Sequence, residues 1–181
     1  MRCFIAIPCP GDVRARLAGA QKQIAGYGGL KLVECENIHL TLKFLGETDE
    51  TKAQQAVQEM KFIESFGKFT IRLKGIGAFP NTRRINVVWA GVEDGKDFIR
   101  LHDELDARLS KIGFAKDQNF HPHFTLARAK ALQNPGALGE YLQKSNDIEF
   151  GQYAVDAVLM MESRLTSKGP IYSIYHEQVI T

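Results

Sequence analysis

Apolar and polar positions repeat with two different periods along this chain, and the switches between them divide it into strands and helices. Residues 2–8 (RCFIAIP) form a short apolar run closed by prolines, which predicts a buried strand. From Gly11 to Ala25, the residues Val13, Leu17, Ala20 and Ile24 recur at helical spacing, with Asp12 suited to the first turn. Gly26, Gly28 and Gly29 stop that helix. Residues 38–46 (IHLTLKFLG) alternate as a half-buried strand should. After Asp49, Ala53, Val57, Met60 and Ile63 share one face of a second helix.

The second part of the chain reads in the same way. Residues 69–76 (FTIRLKGI) and 85–92 (INVVWAGV) are strands, separated by a turn at 80–83 (Pro-Asn-Thr-Arg). Phe98, Leu101, Leu105, Leu109 and Ile112 mark a third helix, ended by Gly113. HPHFTLARA at 121–129 is a strand whose proline stands at its start, a tolerated place. Asn134-Pro135 begins a short fourth helix. Residues 149–161 and 171–180 supply the last two strands.

One constant offset in the numbering lays several of these segments on one another. It places Cys3-Phe4-Ile5-Ala6 on Val87-Val88-Trp89-Ala90, His39-Leu40-Thr41-Leu42 on His123-Phe124-Thr125-Leu126, and Phe69-Thr70-Ile71 on Tyr153-Ala154-Val155. The expected fold is therefore α+β: two pseudo-symmetric lobes, each an antiparallel sheet with helices packed outside, with a cleft between them where the two HxTL strands meet. Each lobe of about 85 residues would have a small core, so residues 1–181 are expected to fold as one unit with interlocking lobes.

Composition narrows the class without deciding it. A chain of 181 residues with 44% hydrophobic and 24% charged residues is that of a folded globular protein, which argues against wholesale disorder. Twenty-three basic against 21 acidic residues leave a net charge of +2, too modest for bulk nucleic-acid binding but compatible with a short anionic substrate. Cys3, Cys9 and Cys35 show no C-x-x-C spacing and cannot all pair within the chain, which predicts a reduced, cytoplasmic protein without structural zinc. No apolar run approaches the ~18 residues needed to span a bilayer, and the opening residues read as a strand rather than a signal peptide. Nothing requires more than a monomer.

The HxTL pair carries the chemistry. Side chains alternate along a strand, so His39 and Thr41 share one face while Leu40 and Leu42 share the other, and likewise for His123 and Thr125 against Phe124 and Leu126. Two such strands flanking a cleft offer two imidazoles and two hydroxyls to one small target. That set suits a phosphodiester. Hydroxyls hold non-bridging oxygens, while imidazoles with an ordinary pKa near ~6.5 exchange protons at neutral pH. One neutral ring takes a proton from the attacking oxygen, and one imidazolium gives a proton to the leaving oxygen. Each such group is typically worth about 10²–10⁴ in rate. A single H-x-T on a strand is usually incidental; two at matching places in a repeat are not.

With these residues in view, the sequence resembles the 2H phosphoesterases, which carry two H-x-[ST] motifs in a bilobal fold, and within them the RNA 2′,3′-cyclic phosphodiesterases, also called 2′-5′ RNA ligases. The resemblance spans RCFIAI, NIHLTLKFLGE, GIGAFPNTRRINVVWAG and HPHFTLARA. It implies hydrolysis of a 2′,3′-cyclic phosphate at an RNA end to a 2′-phosphate, with a ligase reaction possible in reverse. The partners implied are RNA ends or small cyclic nucleotides, tRNA fragments included. By similarity His123 is the base toward water and His39 the acid toward O3′, though pseudo-symmetry makes either order chemically reasonable. Thr41 and Thr125 orient the phosphate, no metal or cofactor is needed, and Arg128 is a phosphate clamp. Arg128 is five residues from His123, so an ideal strand points it at the opposite face, and the role requires a bulge between them.

Other residues are weighed against plainer roles. Lys43, two past Thr41, shares the histidine face of an ideal strand and is either an RNA-binding group or a solvated rim lysine. Phe79, beside a turn, stacks on a base or packs, while Phe4 and Trp89 read as buried packing. Arg83 and Arg84 in that turn touch RNA phosphates or form a solvated charge pair. His121-x-His123 resembles a metal pair, but the nearest acid is Asp117, so His121 reads as packing around the site. His102 and His176 have no partner pattern. The rival readings are a non-catalytic nucleotide or RNA-end binding module, and a related phosphodiesterase acting on another substrate such as 2′-5′ oligonucleotides.

Overall fold

The computed structural model describes residues 1–167 and 169–181. Alternation and helical spacing become, in chain order, β1 (Arg2–Pro8), α1 (Gly11–Ala25), β2 (Leu30–Leu32), β3 (His39–Glu47), α2 (Glu50–Met60), β4 (Phe69–Asn81) and β5 (Arg84–Glu93). The remainder is α3 (Lys96–Lys111), β6 (His123–Ala129), α4 (Pro135–Gln143), β7 (Glu149–Val155), β8 (Ala157–Thr166) and β9 (Gly169–Val179). Asp49 caps α2 by accepting the Lys52 N–H, and Pro135 occupies the first turn of α4.

All strand pairs are antiparallel and run in the order β7-β4-β5-β6-β3-β1-β8-β9, with β2 on β6. The sheet divides at its middle. β3 and β6 are registered through one pair, Leu40 opposite Phe124. On one side lie β3, β1, β8 and β9; on the other, β6, β5, β4 and β7. The halves exchange elements: β4 follows β3 in sequence yet joins β5, and Asp156 separates β7 on one half from β8 on the other. The segment 149–161, expected to be one strand, is thus two, and the short β2 adds a strand that three residues cannot signal by periodicity.

The helices cross over too. α1 packs on β7, β2 and β6, whereas α3 packs on β3 and α2. Val13, Leu17 and Ile24 of α1 and Phe98, Leu101, Leu105 and Leu109 of α3 are fully or almost fully buried in the same core as Leu40, Phe124 and Leu126. Complete burial of one such side chain contributes roughly 1.5–3 kcal/mol, and the exchange spreads it over both halves. Among the described residues no helix is long and apolar enough to cross a membrane.

Candidate active site

His39, Thr41, His123 and Thr125 are all half-buried, each flanked by fully buried neighbours: Leu40 and Leu42 on β3, Phe124 and Leu126 on β6. With Leu40 opposite Phe124, the antiparallel register puts His39 across from Thr125 and His123 across from Thr41. The histidines are then diagonal neighbours, roughly 7–8 Å apart in an ordinary sheet, which leaves room for one phosphate between them.

Both rings are oriented in the same way. His39 Nδ1 donates to the Asn37 carbonyl at 2.7 Å, and His123 Nδ1 donates to the His121 carbonyl at 2.6 Å. A carbonyl only accepts, so the proton sits on Nδ1 and each Nε2 of the neutral ring is an acceptor. Nε2 of His39 is 3.1 Å from the Thr41 hydroxyl, which donates to it; Nε2 of His123 has no hydrogen-bond partner among the described residues. The Phe4 ring stacks on His39 at 4.9 Å, and the Tyr172 ring meets it edge-on at 5.6 Å. Phe79 stands edge-on to His123 at 4.9 Å.

Burial pushes both imidazoles below their ordinary pKa, because a desolvated ring resists charge. For His39 the bond to the Asn37 carbonyl opposes the shift and the charge of His123 adds to it. For His123 the bond to the His121 carbonyl opposes it, while the charges of His121 and Arg128 add to it.

A β-bulge decides where the basic residues go. On β6, Val88 faces Ala127 but Trp89 faces Thr125, so Leu126 and Ala127 are consecutively buried and Arg128 returns to the histidine face, exposed. The bulge required for Arg128 is present. On β3 the same irregularity occurs: Ile5 faces Lys43, Ala6 faces Thr41, and Leu42 and Lys43 are both buried. The two bulges occupy matching places on β3 and β6, but on their partner strands β1 and β5 they fall one position short of the uniform offset.

That second bulge corrects the expectation for Lys43. Its side chain leaves the histidine face for the core, where the ammonium pairs with Asp106 and, at 2.9 Å, with Asp117, and donates to the Ala115 carbonyl at 2.6 Å. Burial raises the Asp106 carboxyl, but the Lys43 and Asp117 N–H donors outweigh it and hold the group below its usual range. His102, expected to have no role, completes this cluster, with Nε2 3.0 Å from Asp117 and its ring stacked on Phe120. His102, Asp106 and Asp117 bring ligand atoms within 4.8 Å of one another, and the Lys43 ammonium supplies the positive charge there.

Phe44 takes the vacated place on the active face and is 70% exposed. Arg83 and Arg84 are exposed at the β4–β5 tip, their backbone N–H groups bound to Asn81 Oδ1, with Arg84 five residues along β5 from Trp89. Tyr172 was missed because the final strand reaches this site only through β8 and β1, a connection that carries no local signal.

The profile of the family described as LigT like Phosphoesterase matches residues 7–89 and again residues 91–172. The chain belongs to the LigT-like phosphoesterase family. An RNA 2′,3′-cyclic phosphodiesterase of Methanocaldococcus jannaschii is 37% identical over 98% of this chain and 99% of its own length. One from Aeropyrum pernix is 41% identical over 90% and 93%. Among solved structures, a Thermus thermophilus protein superposes with a TM-score of 0.86 at 31% identity, covering 99% and 98% of the two chains. Escherichia coli LigT complexed with 3′-AMP gives a TM-score of 0.80 at 25% identity over 99% and 98%.

Proposed function

We propose that this chain is a cyclic phosphodiesterase that opens 2′,3′-cyclic phosphate ends of RNA to 2′-phosphates through two histidines and no metal. The observation that carries the reading is the shared orientation of His39 and His123, each locked by a carbonyl on Nδ1 and presenting Nε2 to one face. The names of the archaeal relatives support the substrate class.

In the reaction, a water oxygen attacks phosphorus while His123 Nε2 takes its proton. The P–O3′ bond breaks, and protonated His39 gives its Nε2 proton to O3′. The phosphate remains on O2′, and solvent resets both rings. The Arg128 charge disfavours protonation of His123, which suits the base. Thr41 and Thr125 donate hydroxyl protons to the non-bridging oxygens, and Arg128 clamps one of them. A 5′-hydroxyl in place of water would give a 2′-5′ phosphodiester by the same transfers. The two halves are read as copies of one unit, supported by the twofold profile match, which starts at residue 7 and again at residue 91.

Incubating the protein in EDTA with nucleoside 2′,3′-cyclic phosphates, cyclic-phosphate-ended RNA and 2′-5′ oligonucleotides, then identifying the product isomer, tests this reading. A 2′-phosphate from the first two substrates is expected; a 3′-phosphate, or turnover only after metal addition, contradicts it.

A further inference from the structure

β6 changes partner in the middle of the site. Phe124 is registered with Leu40 of β3, while residues 127–129 are registered with β2, so Thr125 and Leu126 span the switch. Toward β5, Leu126 is the extra residue of the bulge, since Trp89 faces Thr125 and Val88 faces Ala127. An inserted residue stands outside the ladder, so its buried backbone groups need partners from elsewhere. The Leu126 carbonyl has two: it accepts the Val33 N–H at 2.9 Å and the Gln21 side-chain amide at 2.8 Å.

Gln21 reaches this place from α1. It is 4% exposed and lies on the buried face of the helix with Leu17 and Ile24. A glutamine amide carries two N–H donors, and this one also donates to the Val33 carbonyl at 2.8 Å. One side chain therefore ties the end of β2 to the bulge of β6 from the core side. An apolar residue there would pack equally well on α1 and hold neither carbonyl. The bulge on β3 is secured in a similar way, its buried Lys43 pairing with Asp106 of α3.

What the β6 bulge places is Arg128, two residues beyond Leu126. Without the inserted residue, alternation would turn Arg128 toward the core and Ala127 outward. We propose that Gln21 is a positioning residue: by holding the Val33 and Leu126 carbonyls together it keeps β6 bulged and Arg128 on the histidine face, without touching substrate itself. The proposal rests on the phosphoesterase reading only for what Arg128 does there.

The His123 ring reports where Arg128 stands without any turnover. The charged groups around that ring are His39 across the cleft, His121 and Arg128, and the last two hold its pKa down. NMR titration of His123 is expected to show a raised pKa in Gln21→Met, a similar rise in Arg128→Ala, and no further rise in the double variant. With adenosine 2′,3′-cyclic phosphate, Gln21→Met should lower kcat/KM about 10- to 150-fold, the range for a lost charge-assisted hydrogen bond. Added to Arg128→Ala, it should cost less than about twofold more, because both variants remove one interaction. Gln21→Asn, one methylene too short to reach both carbonyls, should shift the His123 pKa in the same direction. Ile24→Val, which loosens the same helix face without removing a donor, should leave the His123 pKa and kcat/KM unchanged.

An unchanged His123 pKa in the Gln21 variants, losses that multiply in the double variant, equal changes in Ile24→Val, or failure of both Gln21 variants to fold by circular dichroism would overturn the proposal. A pKa rise shared by Gln21→Met and Arg128→Ala, in a protein that hydrolyses no cyclic phosphate, would instead sink the phosphodiesterase reading and leave the positioning role standing.

Discussion

Leu40 and Phe124, equivalent positions of the two HxTL motifs, face each other across the middle of the sheet and are the one registered pair between β3 and β6. The candidate site is arranged around that pair. Each is buried and points away from the cleft, so the residues on either side of it, His39 and Thr41 on one strand and His123 and Thr125 on the other, point into it. An antiparallel register then crosses the motifs, so that each histidine faces the threonine of the other half.

The direction of both imidazole shifts fixes the form of the pH profile. Under the proposed mechanism the competent enzyme has His39 protonated and His123 neutral, and burial lowers both pKa values. The kcat/KM profile is expected to be bell-shaped with its maximum below ~6.5, the ordinary histidine value. Steady-state rates across pH 4–9 check this; a maximum above pH 7.5 would contradict it.

Stability should carry the same signature. Unfolding restores both rings to their ordinary pKa, so below ~6.5 the unfolded chain binds more protons than the folded one. Urea denaturation should show these groups contributing nothing to pH dependence above that value. Stability should fall as pH drops through the window down to the lowered pKa values. A variant with both histidines changed to Asn should lose that part of the decline.

Arg128 is predicted to act on substrate and on His123 together. Arg128→Ala should lower kcat/KM about 10- to 150-fold, the range for a lost charge-assisted hydrogen bond. Losing the positive charge also raises the His123 pKa, so the acidic limb of the bell should move to higher pH. Arg128→Lys should restore the limb better than the rate, because a lysine keeps the charge but not the two-pronged geometry.

Lys43 makes the opposite prediction, a structural one. Lys43→Met leaves Asp106 buried without its partner and should cost about 3–5 kcal/mol in urea denaturation. Adding Asp106→Leu to that variant should recover much of the loss. A Lys43→Met protein of unchanged stability with a raised KM would return the residue to the substrate.

These two basic residues show what the sequence could and could not tell. Alternation or a short apolar run marked most of the strands, helical spacing marked α1, α2 and α3 because each buries one regular face, and Asn134-Pro135 marked the start of α4. Alternation misplaced Lys43 and needed an extra assumption for Arg128 because a bulge adds one residue without advancing the pleat, inverting every side chain beyond it. Bulges are set by packing against the neighbouring strand, so they leave no period to read. His39, Thr41, His123 and Thr125 precede the bulges and were legible for that reason. Tyr172 and the break at Asp156 depend on which strands become neighbours, and a single chain pattern does not encode that directly.

Single-turnover hydrolysis of adenosine 2′,3′-cyclic phosphate in EDTA by the natural protein, His39→Ala and His123→Ala tests the two-histidine mechanism most directly. Circular dichroism would confirm that all three are folded. Each substitution is predicted to slow formation of the 2′-phosphate by at least about 100-fold, since each removes one proton-transfer group. A folded variant of either kind that keeps the natural rate would contradict it.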